Sequence, residues 1–153
     1  MCRYKSALYL ANGDLIHSDA TDSHEHLIAW VGLSDNTLHP NFVRLEYTSA
    51  TLADIETYRL RVDQDILPDW WTNDTAADAT RKLRAICERA IVTEARKILL
   101  GGAWILAGQA NVEQLVNARV VEMRGTSRVG EMYGTSRVGV MGDAATAPRK
   151  PTA

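Results

Sequence analysis

The chain is predicted to be an α+β protein, in which a small N-terminal α/β head (a hairpin, further strands and two helices) caps a short C-terminal β-solenoid. Two observations lead there, and a charge asymmetry that bears on association accompanies them. Val116 to Arg124, Gly125 to Tyr133 and Gly134 to Gly142 align without a gap at a nine-residue period, too short for a helical hairpin and suited to a Gly-cornered solenoid. Ahead of the repeats, apolar residues recur with the period of strands and then of helices. The charge also changes sign: residues 1–95 carry nine Lys/Arg against fifteen Asp/Glu, and residues 96–153 carry eight against four. The expected organisation is a head over 1–96, a solenoid over 97–142 and a disordered tail over 143–153.

In the head, Tyr4 to Leu10 has strand composition, and Asn12-Gly13 supplies positive φ at both central positions of a hairpin turn before Asp14 to His17 continues. Asp22 with Glu25 makes a capping-box start for a short helix whose apolar face is Leu27, Ile28 and Val31 and which Gly32 ends. Phe42 to Tyr47 and Tyr58 to Val62 alternate apolar and polar residues and read as half-buried strands. Thr75 is placed to cap a second helix, with Leu83, Ile86 and Ala90 on its inner face.

From Ile91 the pattern breaks into short apolar runs separated by Gly. Ile98 to Leu100 and Ala103 to Leu106 read as strands leading into the solenoid, and Ala110 to Leu115 as a degenerate first rung. With one repeat per coil, equivalent side chains stack about 4.8 Å apart. Val112, Val120, Val129 and Val138 then form one interior column, and Leu115, Met123, Met132 and Met141 another. Ala110, Ala118, Ser127 and Ser136 make a small-residue column suited to a tight corner. Arg119, Arg128 and Arg137 form a basic ladder, a candidate polyanion-binding surface, although Glu122 and Glu131 are placed to neutralise it as solvated ion pairs. Val140 interrupts the Glu column at the open end, so Val140 and Met141 are candidate protein-binding residues there.

Trp70-Trp71 sits among Asp63, Asp65, Asp69, Asp74 and Asp78. Neighbouring tryptophans cannot both face one core, so one is expected to be partly exposed and to anchor a protein partner. The carboxylates lack the spacing of a calcium loop. His24 and His26 lie two residues apart on a helix, which points them away from each other, and they read as cap and surface residues rather than metal ligands. Cys2 and Cys87 have no paired spacing. No nucleophile elbow or phosphate loop is present, no cofactor is implied, and no run is long and apolar enough to span a membrane. The expected location is the cytoplasm.

Tyr4-Lys5-Ser6-Ala7, Asp22-Ser23-His24, His39-Pro40-Asn41-Phe42, Val62-Asp63-Gln64-Asp65, Pro68-Asp69-Trp70 and Leu99-Leu100-Gly101-Gly102 together resemble an uncharacterised family of small phage-encoded and prophage-like bacterial proteins. Its members carry an α/β head and a variable run of Ser-x-Val-type repeats, and they offer no catalytic residues to carry over. The resemblance implies a phage context. With a rigid solenoid surface and no convergent catalytic cluster in the sequence, the expected function is that of a non-enzymatic accessory protein that binds a host or phage macromolecule, a protein partner first, as an inhibitor of host defence (anti-CRISPR-like) would. The alternatives are end-to-end self-assembly into a homo-oligomer through the C-terminal rungs, and nucleic-acid binding through the Arg ladder.

Overall fold

The computed structural model describes residues 5–36, 38–142 and 144–148, which fall into two compact units, Met1–Glu88 and Arg89–Ala153. The first is built on an antiparallel sheet of β1 (Lys5–Leu10), β2 (Leu15–His17), β3 (Phe42–Thr48) and β4 (Arg59–Val62), in the order β2-β1-β3-β4. Helices α1 (His24–Val31) and α2 (Asn73–Ala90) complete the two-helix, many-stranded composition expected of the head. β1 is buried almost throughout because it lies between β2 and β3. Leu8, Leu27, Ile28 and Phe42 pack together, with Leu10, Ile16 and Leu33 at the margin. Each fully buried Leu contributes about 2 kcal/mol.

Local chemistry adjusts several expected details. In the hairpin turn Gly13 has positive φ and Asn12 does not. Gly13 N–H donates to the Leu10 carbonyl and Leu10 N–H to that of Asp14, so the turn is a type I turn closed by a left-handed glycine rather than a two-residue mirror-image turn. The cap of α1 is Ser23, one residue after Asp22. Its hydroxyl accepts from the His26 N–H and donates to Glu25, a two-way role that a carboxylate cannot play. Val31, expected on the inner face, is 38% exposed, and neighbouring Trp30 is 70% exposed. For α2 the helix begins at Asn73, two residues before the expected cap. Thr72 N–H donates to the Thr75 hydroxyl, and Thr75 N–H reaches back to the Thr72 hydroxyl, so the capping pair straddles the first turn. Its buried face runs through Ala79, Leu83, Cys87 and Ala90.

The second unit is the β-solenoid, of about three turns. β5 (Ile91–Val92), β7 (Ala103–Leu106), β9 (Arg119–Met123) and β11 (Arg137–Met141) form one parallel sheet in the order β11-β9-β7-β5. β6 (Arg96–Leu100), β8 (Asn111–Val116) and β10 (Arg128–Tyr133) form the other, in the order β10-β8-β6. Successive strands therefore alternate between sheets, and one coil takes two strands.

This corrects the expectation of one repeat per coil. Val138 lies over Val120 and Val129 over Val112, so nine residues make one side of the coil and its corner. The reason is volume: a circuit of nine residues, less its corners, leaves too little chain on either side to enclose valine and methionine. The interior columns survive in split form, with Val112, Val120, Leu115 and Met123 fully buried. Valine and methionine three apart both face inward because the ladder skips the residue between them, Gly130 in β10 and Gly139 in β11. A Cβ there would sit 2.7 Å from the carbonyl oxygen of Glu113 or Val121 in the coil below, which explains glycine at that place in the motif.

Both boundaries also move. The solenoid starts before residue 97: β5 pairs with β7, and the division between units falls at 88/89. Ile91-Val92, directly after the helix, carries no turn signal to announce a strand. At the other end, the expected tail begins as a further half-coil. Thr146 bridges to Arg128, Thr146 N–H donates to Ser127 and Val129 N–H to Thr146, while Ala145 is buried in the solenoid core. Ala145 continues the small-residue corner of Ser127 and Ser136, and Ala147 takes the valine place. Pro148 follows without an N–H to donate.

Candidate functional site

Among the described residues, the terminal coil is one place where exposed apolar side chains meet the edge of a sheet. β11 is the outermost strand of its sheet. Val140 is 56% and Met141 43% exposed. Val140 stands over Glu122 and Met141 over Met123, so Met141 occupies an interior column that has nothing above it among the described residues. A hollow of about 490 Å³ opens there, bordered by Met132, Ser136, Arg137, Val138, Met141 and Ala147. Ala147 explains the space, since a valine at that place would project further into it. The floor is fixed: the Ser136 hydroxyl lies 2.9 Å from the Leu115 carbonyl and 2.6 Å from that of Tyr133, and it receives the Ala118 N–H.

A second apolar feature lies on the outer face of the β6-β8-β10 sheet. Leu99, Leu115 and Met132 are aligned facing inward, so by alternation Leu100, Val116 and Tyr133 are aligned facing outward. Leu100 is 69% and Tyr133 47% exposed, and Ile98, one row away, is 50% exposed. Beyond Ile98 that row is polar: Glu131 accepts from the Tyr133 hydroxyl at 2.5 Å and from Gln114 at 3.3 Å. That hydrogen bond to a carboxylate raises the Tyr133 phenol above its ordinary value. Sequence reading missed this ladder because its members belong to three differently written segments, and only the register aligns them.

The Arg ladder is not one ladder. Arg119 and Arg137 are directly opposed in the β9-β11 pair, whereas Arg128 belongs to the other sheet, between Asn111 and Thr146. The half-coil repeat is the cause, since every second repeat lands on the opposite side. Nor do the expected carboxylates pair with these residues. Glu122 is held by Arg124 at 2.9 Å and Glu131 by Gln114 and Tyr133.

In the first unit, Trp70 and Trp71 are both half-buried, so partial exposure, expected of one of them, is shared by both. Both pack on Tyr9, with centroids 6.4 and 5.6 Å away, and on each other edge-on at 6.3 Å. Tyr9 satisfies both because its ring is large enough to receive one on each part of its surface. The Tyr9 hydroxyl donates to Asp78 at 2.7 Å, and Lys82 bridges Asp78 and the Gly13 carbonyl. Burial, and then the Asp78 carboxylate, push the Tyr9 phenol up to about 12. Lys82, Tyr9 and Arg81 hold the Asp78 carboxyl well below its usual range.

His24 is buried, not a surface residue: Nε2 lies 3.0 Å from the Leu45 carbonyl and Nδ1 3.4 Å from Asp63. His26 pairs with Thr21. A cavity of about 340 Å³ is bordered by Asp35, Phe42, Arg44, Asp63, Gln64 and Asp65. Several of its polar groups serve the fold: Arg44 pairs with Asp35, and Gln64 is bonded to the backbone of Phe42, Arg44 and Ile66, while Arg44 Nε is buried without a hydrogen-bond partner. Among the described residues no group of three or more His, Cys, Asp or Glu is arranged to hold a metal, and no helix is long and apolar enough to cross a membrane. Cys87 is buried. No family model, curated protein or solved structure matches the chain.

Proposed function

We propose that the protein is a non-enzymatic accessory protein of the phage type its sequence resembles, acting in the host cytoplasm by binding a host or phage protein through its solenoid. The observation that carries this reading is the outward ladder of Leu100, Val116 and Tyr133 with Ile98 beside it. A row of apolar side chains on a flat parallel sheet is held at fixed spacing by the coils beneath, so a partner meets it without ordering a loop. Tyrosine at the end of the ladder, with a polar row alongside, has the composition of a protein contact rather than of a bare core face. Inhibition of a host defence complex is one activity such a surface serves.

The test is site-specific photo-crosslinking in infected cells, with the photoreactive residue placed at Tyr133 and, as a control, at Arg61, whose side chain is 70% exposed in the first unit. A discrete protein adduct at Tyr133 and none at Arg61 supports the reading. Equal labelling at both, or adducts only with nucleic acid, refutes it.

A further inference from the structure

Among the described residues, the terminal coil has the surface of an internal coil without its neighbour. We propose that a second copy of this chain supplies that neighbour, β11 pairing antiparallel with β11 of the second copy across a two-fold axis, so that two solenoids join end to end. This rests on the solenoid being a binding scaffold and names one partner for it.

Four observations point to a second copy. Val138 and Met141 present upward the same kind of apolar surface that Val120 and Met123 present to them, a surface that the fold covers in the coil below. Residues 134–148 carry one Arg and one Asp, whereas exposed edge strands are ordinarily guarded by charge. Val140 adds an exposed apolar side chain where the coil below has Glu122. The hollow beneath Met141 leaves room for side chains from outside.

The register follows from keeping interior side chains interior. Val138 stands opposite Met141 of the second copy, Gly139 opposite Val140, and Arg137 opposite Gly142, so the Arg137 side chains never face each other. Each hollow then opens into the other and is closed by the opposing Met141. Head-to-tail stacking does not match as well, because β11 has five residues and the other end of that sheet, β5, has two. A two-fold contact also closes on itself, whereas a head-to-tail contact propagates into fibres. From strand length and sheet spacing the contact buries on the order of 600 Å² in total, below the usual range for tight complexes, so the dimer forms at high concentration.

Sedimentation velocity on the full chain from about 10 μM to about 1 mM tests this. A monomer-dimer equilibrium with nothing larger is expected, weakened at least tenfold by Met141→Glu or by Val140→Asp, with both variants keeping the wild-type circular dichroism spectrum. In the double variant Cys2→Ser, Val140→Cys, a short bismaleimide should trap a covalent dimer, because antiparallel pairing brings the two copies of position 140 together. A chain monomeric throughout, species that grow beyond the dimer, unweakened dimers in both variants, or no trapped dimer would each overturn the proposal. Monomers that still give the Tyr133 photo-adduct remove this inference and leave the binding reading standing.

Discussion

Gly134→Ala is the substitution that tests the two-strand coil most directly. Gly134 has φ of +62°, and a Cβ there would lie 2.0 Å from Asn117 Oδ1. Asn117, itself at φ +48°, uses that oxygen to accept the Thr135 N–H at 3.1 Å. Alanine in the left-handed region costs about 1–2 kcal/mol, and turning Asn117 aside forfeits a hydrogen bond worth about 1 kcal/mol. The single variant should therefore lose about 2–3 kcal/mol. In an Asn117→Gly background the steric conflict is gone, and the same change should cost only about 1–2 kcal/mol, a coupling of about 1 kcal/mol. Urea denaturation of the four proteins measures it, provided the slopes agree. A coupling indistinguishable from zero with position 117, or an equal one with Gly125, would refute the stacking of Gly134 over Asn117. Coupling with Gly125 is what one repeat per coil requires.

The remaining predictions follow from burial, register and titration. Met123→Ala, fully buried in the solenoid core, should cost about 3 kcal/mol, whereas Met141→Ala at the open end should cost less than about 1 kcal/mol at concentrations where the chain is monomeric; equal losses in chemical denaturation would contradict the open coil. Arg137→Glu removes a like-charge opposition with Arg119 and should stabilise the chain by about 0.5 kcal/mol at low salt, while Arg128→Glu should not; thermal melts at two ionic strengths distinguish them. The Tyr9 phenol ionises near 12 in the folded chain against about 10 when unfolded. Its neutral form therefore favours folding, a contribution complete below about pH 10 and lost as pH rises towards 12. A phenolate titration of wild type minus Tyr9→Phe should show that late step, and one at the ordinary value would contradict the burial of the Tyr9 ring together with its Asp78 contact.

Much of the head was readable because its signals are local. Alternation in Phe42 to Tyr47, Gly13 after Asn12 and Gly32 after an apolar face each act within a few residues, and the structure has a strand, a turn and a helix end at those places. The misses are also physical. Ser23 displaced Asp22 as the cap because a hydroxyl both donates and accepts. Trp70 and Trp71 share Tyr9, a partner more than sixty positions away that no local pattern announces. The half-coil of Ala145 to Pro148 was hidden because alanine and threonine there replace the valine and arginine that made the repeat visible.

What the sequence by itself determined is that the second unit is a repeat array: the nine-residue period, the Val and Met columns and the glycine positions are written in the chain and need no partner to be read. Tertiary structure alone decided how many repeats close a coil, because a period counts residues and says nothing of which copies lie side by side. Hydrogen-bond register supplied that answer. With two repeats to a coil, Arg128 leaves the company of Arg119 and Arg137, Leu100 joins Tyr133 across three strands, and Val140 and Met141 fall on the last described strand of their sheet.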